Sequence, residues 1–187
     1  MRKALFGLAT LAISAQGQKF GFGIGVKGGF PFTDLLQTVS GSTITLSSGD
    51  NYLVGPAVEL RLPFGFAIEA DGLYRGTQYH LASGGGALPT AFNSASWEIP
   101  YLAKFRFPIP LLKPFVEAGG AYRTFTDLPS GVSPGHNAFV AGGGLELVIK
   151  RVRLSGEARY LHWQQSTNNL AVRLASNQGE VLFGLMF

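Results

Sequence analysis

Apolar and polar positions alternate strictly along most of the chain, and the pattern is clearest near the C-terminal end. From Gly179 to Phe187 the sequence reads GEVLFGLMF, in which Val181, Phe183, Leu185 and Phe187 alternate with a mixed set of residues. A period of two residues is typical of a β-strand, because successive side chains of a strand point to opposite faces. The segment is therefore predicted to be a strand with one wholly apolar face.

The same period predicts seven further strands upstream. The eight predicted strands cover residues 19–30, 52–62, 66–79, 96–107, 115–124, 138–148, 152–163 and 179–187. Long connections alternate with short ones, which is the arrangement of transmembrane barrels built from hairpins. Strands of about 10 residues also suit a tilted crossing of the hydrocarbon layer. The predicted fold class is all-β: an eight-stranded antiparallel up-and-down transmembrane β-barrel.

Charged residues within these strands all fall on the face opposite the apolar one. Once one face is chosen for each strand, the remaining agreements would arise by chance about once in 250, since strand side chains alternate two ways. Once the strand ends and turns are set aside, eight of the residues are acidic and eight are basic, so their charges sum to zero. They are Glu59, Glu69, Asp71, Glu98, Glu117, Glu146, Glu157 and Glu180, with Lys27, Arg61, Arg75, Lys104, Arg106, Arg123, Arg153 and Arg159.

Alternation alone does not decide which face points inward, because a soluble lipocalin-like barrel has the same period with apolar residues inside. Aromatic residues at the strand ends favour a membrane barrel with two aromatic girdles. These are Tyr52, Tyr74, Trp97, Tyr122 and Tyr160 at the loop ends, with Phe20, Phe66, Phe107 and Phe187 at the turn ends. Several glycines also share the charged face, which suits a narrow interior. We therefore expect the charged face to line the lumen.

Sixteen charges inside a narrow barrel are costly unless they are paired. We therefore expect a connected network of salt bridges that fills the lumen and leaves little room for ions. A structural role is the expected one for these charges. An alternative is a narrow, low-conductance pore, in which Glu59, Arg61, Glu69 or Arg123 would gate protons or small ions.

Composition agrees with a strand protein of the cell envelope. Charged residues make up 14% of the chain, against about 25% in soluble domains. Arg2 and Lys3 precede an apolar run at 4–13 and a small-residue site, which predicts a signal peptide at 1–17 and a barrel domain at 18–187. The absence of cysteine excludes disulfides and thiolate chemistry. No basic cluster suits nucleic acid.

The eight-strand pattern and the terminal strand resemble those of the small bacterial outer-membrane β-barrel family. That group includes the barrel domain of outer-membrane protein A and adhesin-like eight-stranded proteins. The resemblance implies that Val181, Phe183, Leu185 and Phe187 form a C-terminal signal that the barrel-assembly machinery reads during insertion. It also implies location in the bacterial cell outer membrane, contact with outer-membrane lipid and a monomeric state. The expected role is structural, with presentation of surface loops and adhesion as a candidate use.

An enzymatic alternative rests on one histidine. Its position in the two-residue alternation of the strand at 152–163 places His162 on the lipid side. This arrangement weakly resembles that of lipid A deacylases, whose barrels carry a lipid-facing histidine and serine two positions apart. Gln164 occupies the position of that serine here, and the nearest hydroxyl belongs to Ser166. A histidine needs a hydroxyl within hydrogen-bond reach to activate it. Because His80 and His136 also lack metal-ligand spacing, we expect no catalytic residue, cofactor or metal.

Overall fold

Twelve strands and one short 3₁₀ turn make up the part of the chain that the computed structural model describes, which comprises residues 20–32, 36–38, 44–48, 52–83, 90–126, 135–164 and 172–187. The predicted signal peptide at 1–17 lies outside these ranges. No helix within them is long and apolar enough to cross a membrane, which has no bearing on strands. The strands are β1 (Gly21–Pro31), β2 (Leu36–Thr38), β3 (Ile44–Ser48), β4 (Tyr52–Arg61), β5 (Phe66–Asp71), β6 (Leu73–Ser83), β7 (Thr90–Arg106), β8 (Leu112–Phe125), β9 (Asn137–Ile149), β10 (Val152–Trp163), β11 (Val172–Leu174) and β12 (Asn177–Met186), and the 3₁₀ turn is Pro63–Gly65.

The larger strands close into one antiparallel barrel. In the described part of the chain, each pairs with its neighbours in chain order from β4 to β12, and β1 pairs with both β4 and β12, so that the wall closes into a ring; the short β3 pairs on one side only, with β6. The strands β5 and β6 are separated only by Gly72, and both pair with β4 and β7, so together they form one crossing. Counted in this way, the barrel wall has eight crossings, which we call staves: β1, β4, β5 with β6, β7, β8, β9, β10 and β12. The predicted fold class of a closed eight-stranded antiparallel barrel is confirmed.

Strand pairing extends further on the long-connection side than the sequence predicts. The strands β6 and β7 pair as far as Leu81↔Thr90, although 80–95 was predicted to be a loop. The short strand β3 pairs with β6, and β2 pairs with β11, within two other predicted loops. The loop prediction was wrong here because these segments pair through their backbones, and backbone hydrogen bonds do not require alternating apolar residues.

Apolar side chains cover the outside of the barrel. On β1, Phe22, Ile24 and Val26 are 64%, 55% and 54% exposed, whereas Lys27 is only 2% exposed. The same inversion recurs on the other staves. A water-soluble barrel would bury its apolar face, because apolar surface is driven out of water. The arrangement is therefore opposite to that of a lipocalin-like barrel.

Aromatic rings form a row near each end of the outer wall. On the long-connection side, the ring centroids of Tyr74 lie 6.3 Å from Tyr52 and 5.5 Å from Trp97. On the turn side, Phe105 lies 5.0 Å from Phe66 and 5.3 Å from Phe107. These rows occupy the levels at which the sequence predicts girdles.

The barrel closes where β1 meets β12. Their register runs from Gly25↔Met186 to Pro31↔Glu180. Beyond it, the backbone N–H of Phe187 donates to the carbonyl of Ile24 at 2.9 Å. The strands approach closely at Gly29, where a Cβ atom would lie 1.9 Å from the carbonyl oxygen of Val181. Glycine at this position permits the seam to form.

A side chain at Gly29 should therefore impair closure. We expect Gly29→Ala to lower the free energy of unfolding by about 1–3 kcal/mol, as overpacking against backbone typically does. The adjacent Gly28→Ala is a matched control, because the nearest atom to its Cβ would be 3.6 Å away. Equal amounts of the heat-modifiable folded band of both variants on a denaturing gel would contradict this role of the seam.

Candidate functional site

The charged interior is the candidate site, and it divides into three groups along the barrel axis. We call them the turn-end cluster, the central cage and the loop-end group. The turn-end cluster is Glu59, Arg61, Arg106, Glu146 and Arg153; the central cage is Lys27, Glu69, Asp71, Lys104, Glu117, Glu157 and Arg159; and the loop-end group is Arg75, Glu98, Arg123 and Glu180. Apart from Arg61 and Arg106, all of these residues are buried.

Lys104 lies at the centre of the cage. Its ammonium nitrogen is 2.8 Å from Glu69, 3.1 Å from Glu117 and 3.2 Å from Glu157. An ammonium group has three N–H donors, so each donor can be directed at a different carboxylate. The same nitrogen lies 4.5 Å from the centroid of the Phe115 ring. Lys104 thus joins three staves through one atom.

Lys27 repeats this tripod from the opposite wall. Its ammonium nitrogen lies 2.5 Å from Glu69, 2.7 Å from Glu157 and 3.3 Å from Asp71. The carboxylates of Glu69 and Glu157 each bind both lysines, one through each oxygen. The two lysines are therefore bridged across the lumen by shared acids.

Arg159 completes the cage with four contacts. Its guanidinium lies 2.8 Å from Glu117 through Nε, 2.8 Å from Asp71 through Nη1, and 2.7 Å from Glu157 and 3.1 Å from Glu69 through Nη2. The planar fork suits several carboxylates at once. Every acid of the cage therefore binds at least two cations.

The strand period explains how these side chains converge. Glu69 and Asp71 on β5, like Glu157 and Arg159 on β10, are two residues apart and so point to the same side. Lys104 on β7 lies directly opposite Glu117 on β8 in the register. The cage therefore takes side chains from five strands around the barrel. It crosses the lumen at mid-height, with four acids against three bases.

Three acids of the cage are close enough together to hold a metal ion. Ligand atoms of Glu69, Glu117 and Glu157 lie within 4.8 Å of one another, and all three residues are buried. The ammonium group of Lys104 is bound by the same three carboxylates. In this geometry the lysine supplies the positive charge that a cation would otherwise bring.

The turn-end cluster is built around two acids. Glu59 forms ion pairs with Arg106 and with Arg153, the latter at 2.6 Å. Glu146 binds the same two arginines at 3.0 and 3.4 Å. Arg61 is at the rim: its side chain is 39% exposed, it lies 3.9 Å from Glu59, and it donates to the carbonyl of Phe22 at 2.8 Å. Of the sixteen predicted interior charges, Arg61 is thus the least enclosed.

The loop-end group includes polar residues that the sequence analysis missed. Arg75 lies 3.2 Å from Glu98 and donates to Gln178 Oε1 at 3.1 Å. The indole N–H of Trp163 donates to the same Gln178 oxygen at 2.9 Å. Gln178 was assigned to a loop, although its parity with Glu180 indicates an inward position once β12 is known to begin at Asn177.

Arg123 lies on aromatic surfaces near the loop end. Its guanidinium carbon is 3.9 Å from the ring centroid of Trp163 and 5.1 Å from that of Phe125. Its Nε donates to the carbonyl of Gly135 at 3.1 Å. Cation–π contacts of this kind stabilise a desolvated guanidinium.

Buried apolar side chains also face the lumen, beside the charges of the loop-end group: Leu53 lies opposite Arg75 in the register, and Leu73 lies opposite Glu98. Leu182 lies on the face of the last strand that the sequence predicts to be mixed, and other staves carry inward apolar residues as well. On β7, for example, Leu102 lies between Lys104 and Glu98 on the inward face. The buried apolar residues form two clusters, one of Leu102, Ala121, Val140, Leu161 and Trp163, and the other of Leu53, Leu73 and Leu182. The loop-side half of the lumen therefore contains hydrocarbon next to polar groups.

His162 faces outward, as its parity predicts, but its partner is an amide. Its Nδ1 lies 2.7 Å from Oδ1 of Asn177, which also accepts from the hydroxyl of Tyr160 at 2.8 Å. Ser166 lies outside the described residues, and Gln164 carries no hydroxyl. Within the described ranges, the contact required for an activated serine next to His162 is absent.

Comparison with known proteins supports the architecture. No family model matches the chain, and no curated protein matches it. The crystal structure of the outer membrane protein OprG from Pseudomonas aeruginosa is similar, with a TM-score of 0.60 and 13% sequence identity over 90% of this chain and 95% of that chain. At this identity the likeness shows the fold alone. The predicted resemblance to outer-membrane barrels is confirmed at that level, and nothing singles out the outer-membrane protein A group.

The cage geometry predicts a large effect of removing one cation. We expect Lys104→Met to lower the free energy of unfolding by about 3–5 kcal/mol, because three buried carboxylates lose a shared partner. Lys113→Met, near the turn end and outside the cage, is the matched control, with an expected loss of about 0–1 kcal/mol. Urea unfolding in lipid vesicles, followed by tryptophan fluorescence, measures both.

A second substitution separates charge from packing. Adding Glu117→Gln to Lys104→Met should restore part of the lost stability, because one uncompensated carboxylate is removed. Equal stabilities of the Lys104 and Lys113 variants, or no recovery in the double variant, would show that the cage is not held by its ion pairs.

Proposed function

We propose that this protein is a small integral barrel of the bacterial outer membrane, with a structural and surface-presenting role and without enzymatic activity. The observation that carries the proposal is that the barrel is apolar outside and charged inside, the reverse of a water-soluble barrel. Phe22, Ile24 and Val26 are exposed on the outer wall, and ion pairs are buried in the lumen. Such a wall suits hydrocarbon, because the closed barrel also satisfies its backbone groups internally. The likeness to an outer membrane protein supports the same compartment.

The proposed partners are outer-membrane lipid and, during insertion, the barrel-assembly machinery. The four residues of the predicted assembly signal, Val181, Phe183, Leu185 and Phe187, have the outward parity of β12, with Phe183 and Phe187 exposed. Their positions beside the seam are compatible with a strand that is recognised before it pairs with β1. We propose that the protein acts as a monomer.

Surface presentation is supported by the extended strands on the long-connection side. The β6–β7 hairpin and the added strand β3 continue the wall beyond the level of Tyr74 and Trp97, and β2 pairs with β11 on the same side. Backbone pairing of this kind holds the two ends of each long connection in fixed positions. Adhesion is one use of such a surface, and the described residues name no particular partner.

The two alternatives receive less support. A pore would require a continuous open path, whereas the ion pairs of the central cage cross the lumen. A deacylase would require a hydroxyl beside His162, which contacts Asn177 instead. We therefore favour the non-enzymatic, closed barrel.

Fractionation tests the compartment and the fold together. We expect the protein to enter the outer-membrane fraction and to migrate faster on a denaturing gel when it is left unheated, because the closed barrel resists the detergent. Boiling should abolish the faster band. Recovery of the protein in the periplasmic fraction would contradict the proposal, whatever its migration.

Conductance tests the closed interior separately. In planar bilayers we expect the purified protein to give no steady single-channel steps above the baseline, because the ion pairs of the central cage fill the lumen at that level. A large porin inserted under the same conditions serves as the positive control. Large, steady steps from this protein would favour the pore.

A further inference from the structure

A basic cleft lies at the turn end of the barrel, outside the three interior groups except for two shared arginines. It encloses about 310 Å³. Its lining contains four basic and two apolar residues and no acidic one: Arg61, Lys150, Arg151 and Arg153, with Val148 and Phe187. Such a lining is suited to an anion that also carries hydrocarbon.

Three chain segments bring these residues together. The tight turn between β9 and β10 consists of Lys150 and Arg151, with Lys150 in the left-handed backbone region at φ 57°. Arg61 ends β4, and Phe187 follows β12. Because β12 lies between β10 and β1, and β1 pairs with β4, the cleft spans the seam at which the barrel closes.

Neighbouring acids compensate only part of the positive charge of the cleft, because Arg61 lies 3.9 Å from Glu59 and Arg153 binds Glu59 and Glu146, whereas the two turn residues have no such partner. Glu59 and Glu146 already bind Arg106 and Arg153. Lys150 and Arg151 are exposed, and no carboxylate in the described part of the chain pairs with either of them.

Arg153 gives a second, independent indication of a ligand. It is only 5% exposed and directs its ion pairs through Nη1. Its Nη2 has no hydrogen-bond partner among the described residues. This nitrogen lies against Gly23, and the main-chain oxygen of Phe187 lies against the same glycine. A buried guanidinium with a spare donor at the back of a basic cleft is expected to attract a negative group.

The apolar side of the cleft indicates what kind of anion fits. Phe187 is 57% exposed, and Phe20 and Phe22 on the outer wall are exposed near the same end. A bound phosphate at Lys150 and Arg151 would therefore lie beside a surface suited to acyl chains. Inorganic phosphate could make only the polar half of these contacts.

We propose that this cleft binds the headgroup phosphate of an anionic phospholipid at the turn-side membrane surface. The inference rests on the proposed membrane location. Guanidinium groups bind phosphate through paired hydrogen bonds, and basic residues near an anionic surface each strengthen binding by about fivefold. The lipid would thereby fasten the turn end of the seam to the surface of the bilayer.

Lipid titration of the purified, folded barrel in neutral micelles tests the proposal. We expect phosphatidylglycerol to bind in preference to phosphatidylcholine, as measured by native mass spectrometry. Replacing Arg61, Lys150 and Arg151 with glutamine together should weaken phosphatidylglycerol binding by about 100-fold. The control Lys113→Gln, which removes one charge at the same end but outside the cleft, should weaken it by no more than about fivefold.

Additional measurements distinguish a lipid headgroup from free phosphate and control for misfolding of the variants. The double variant Lys150→Gln/Arg151→Gln changes only exposed turn residues, and it should weaken binding by about 25-fold. Equal binding by all variants, no preference over phosphatidylcholine, or full competition by equimolar inorganic phosphate would overturn the proposal. Heat-modifiable migration of each variant reports folding independently of lipid. Failure of the native protein to reach the outer membrane would instead count against the proposed function.

Discussion

Charge pairing inside a narrow barrel is the constraint on which this structure depends. An eight-stranded barrel has little room for water, so each ionised side chain inside it must find its counter-charge on another stave. The cage meets this requirement with two ammonium tripods and one guanidinium, all sharing Glu69 and Glu157. Because shared acids bind cations from different strands, the pairing also holds the staves in one relative register. Closure and charge pairing are thus two aspects of one arrangement.

The outer wall follows from the same inversion. Once polar groups occupy the lumen, every second residue of each stave faces outward and must suit whatever surrounds the barrel. The outward rings of Phe66, Tyr74 and Trp97 belong to the aromatic rows toward the two ends of that wall. The outward residues therefore match the environment of the barrel, while the ion pairs in the lumen fix the arrangement of its strands.

Parity explains why the fold was predictable from the sequence. Alternation is a property of the backbone, so Glu69, Asp71, Glu157 and Arg159 could be placed on one face without knowledge of their neighbours. Their partners could not be inferred, because contact between β5 and β10 across the lumen depends on the register and tilt of the whole barrel. The inward position of Leu102, between Lys104 and Glu98, follows the same parity, although no charge marks that position in the sequence. Gln178 was missed because β12 begins before its apolar alternation does.

The uneven division of charge along the lumen has an electrical consequence. The central cage holds four acids and three bases, while the turn-end cluster holds two acids and three bases. One unit of negative charge at mid-height therefore faces one unit of positive charge below it, which gives the barrel an internal dipole parallel to its axis. A stray cation approaching from the turn side meets repulsion first, whereas one from the opposite side meets attraction. Any leak through this barrel would accordingly rectify.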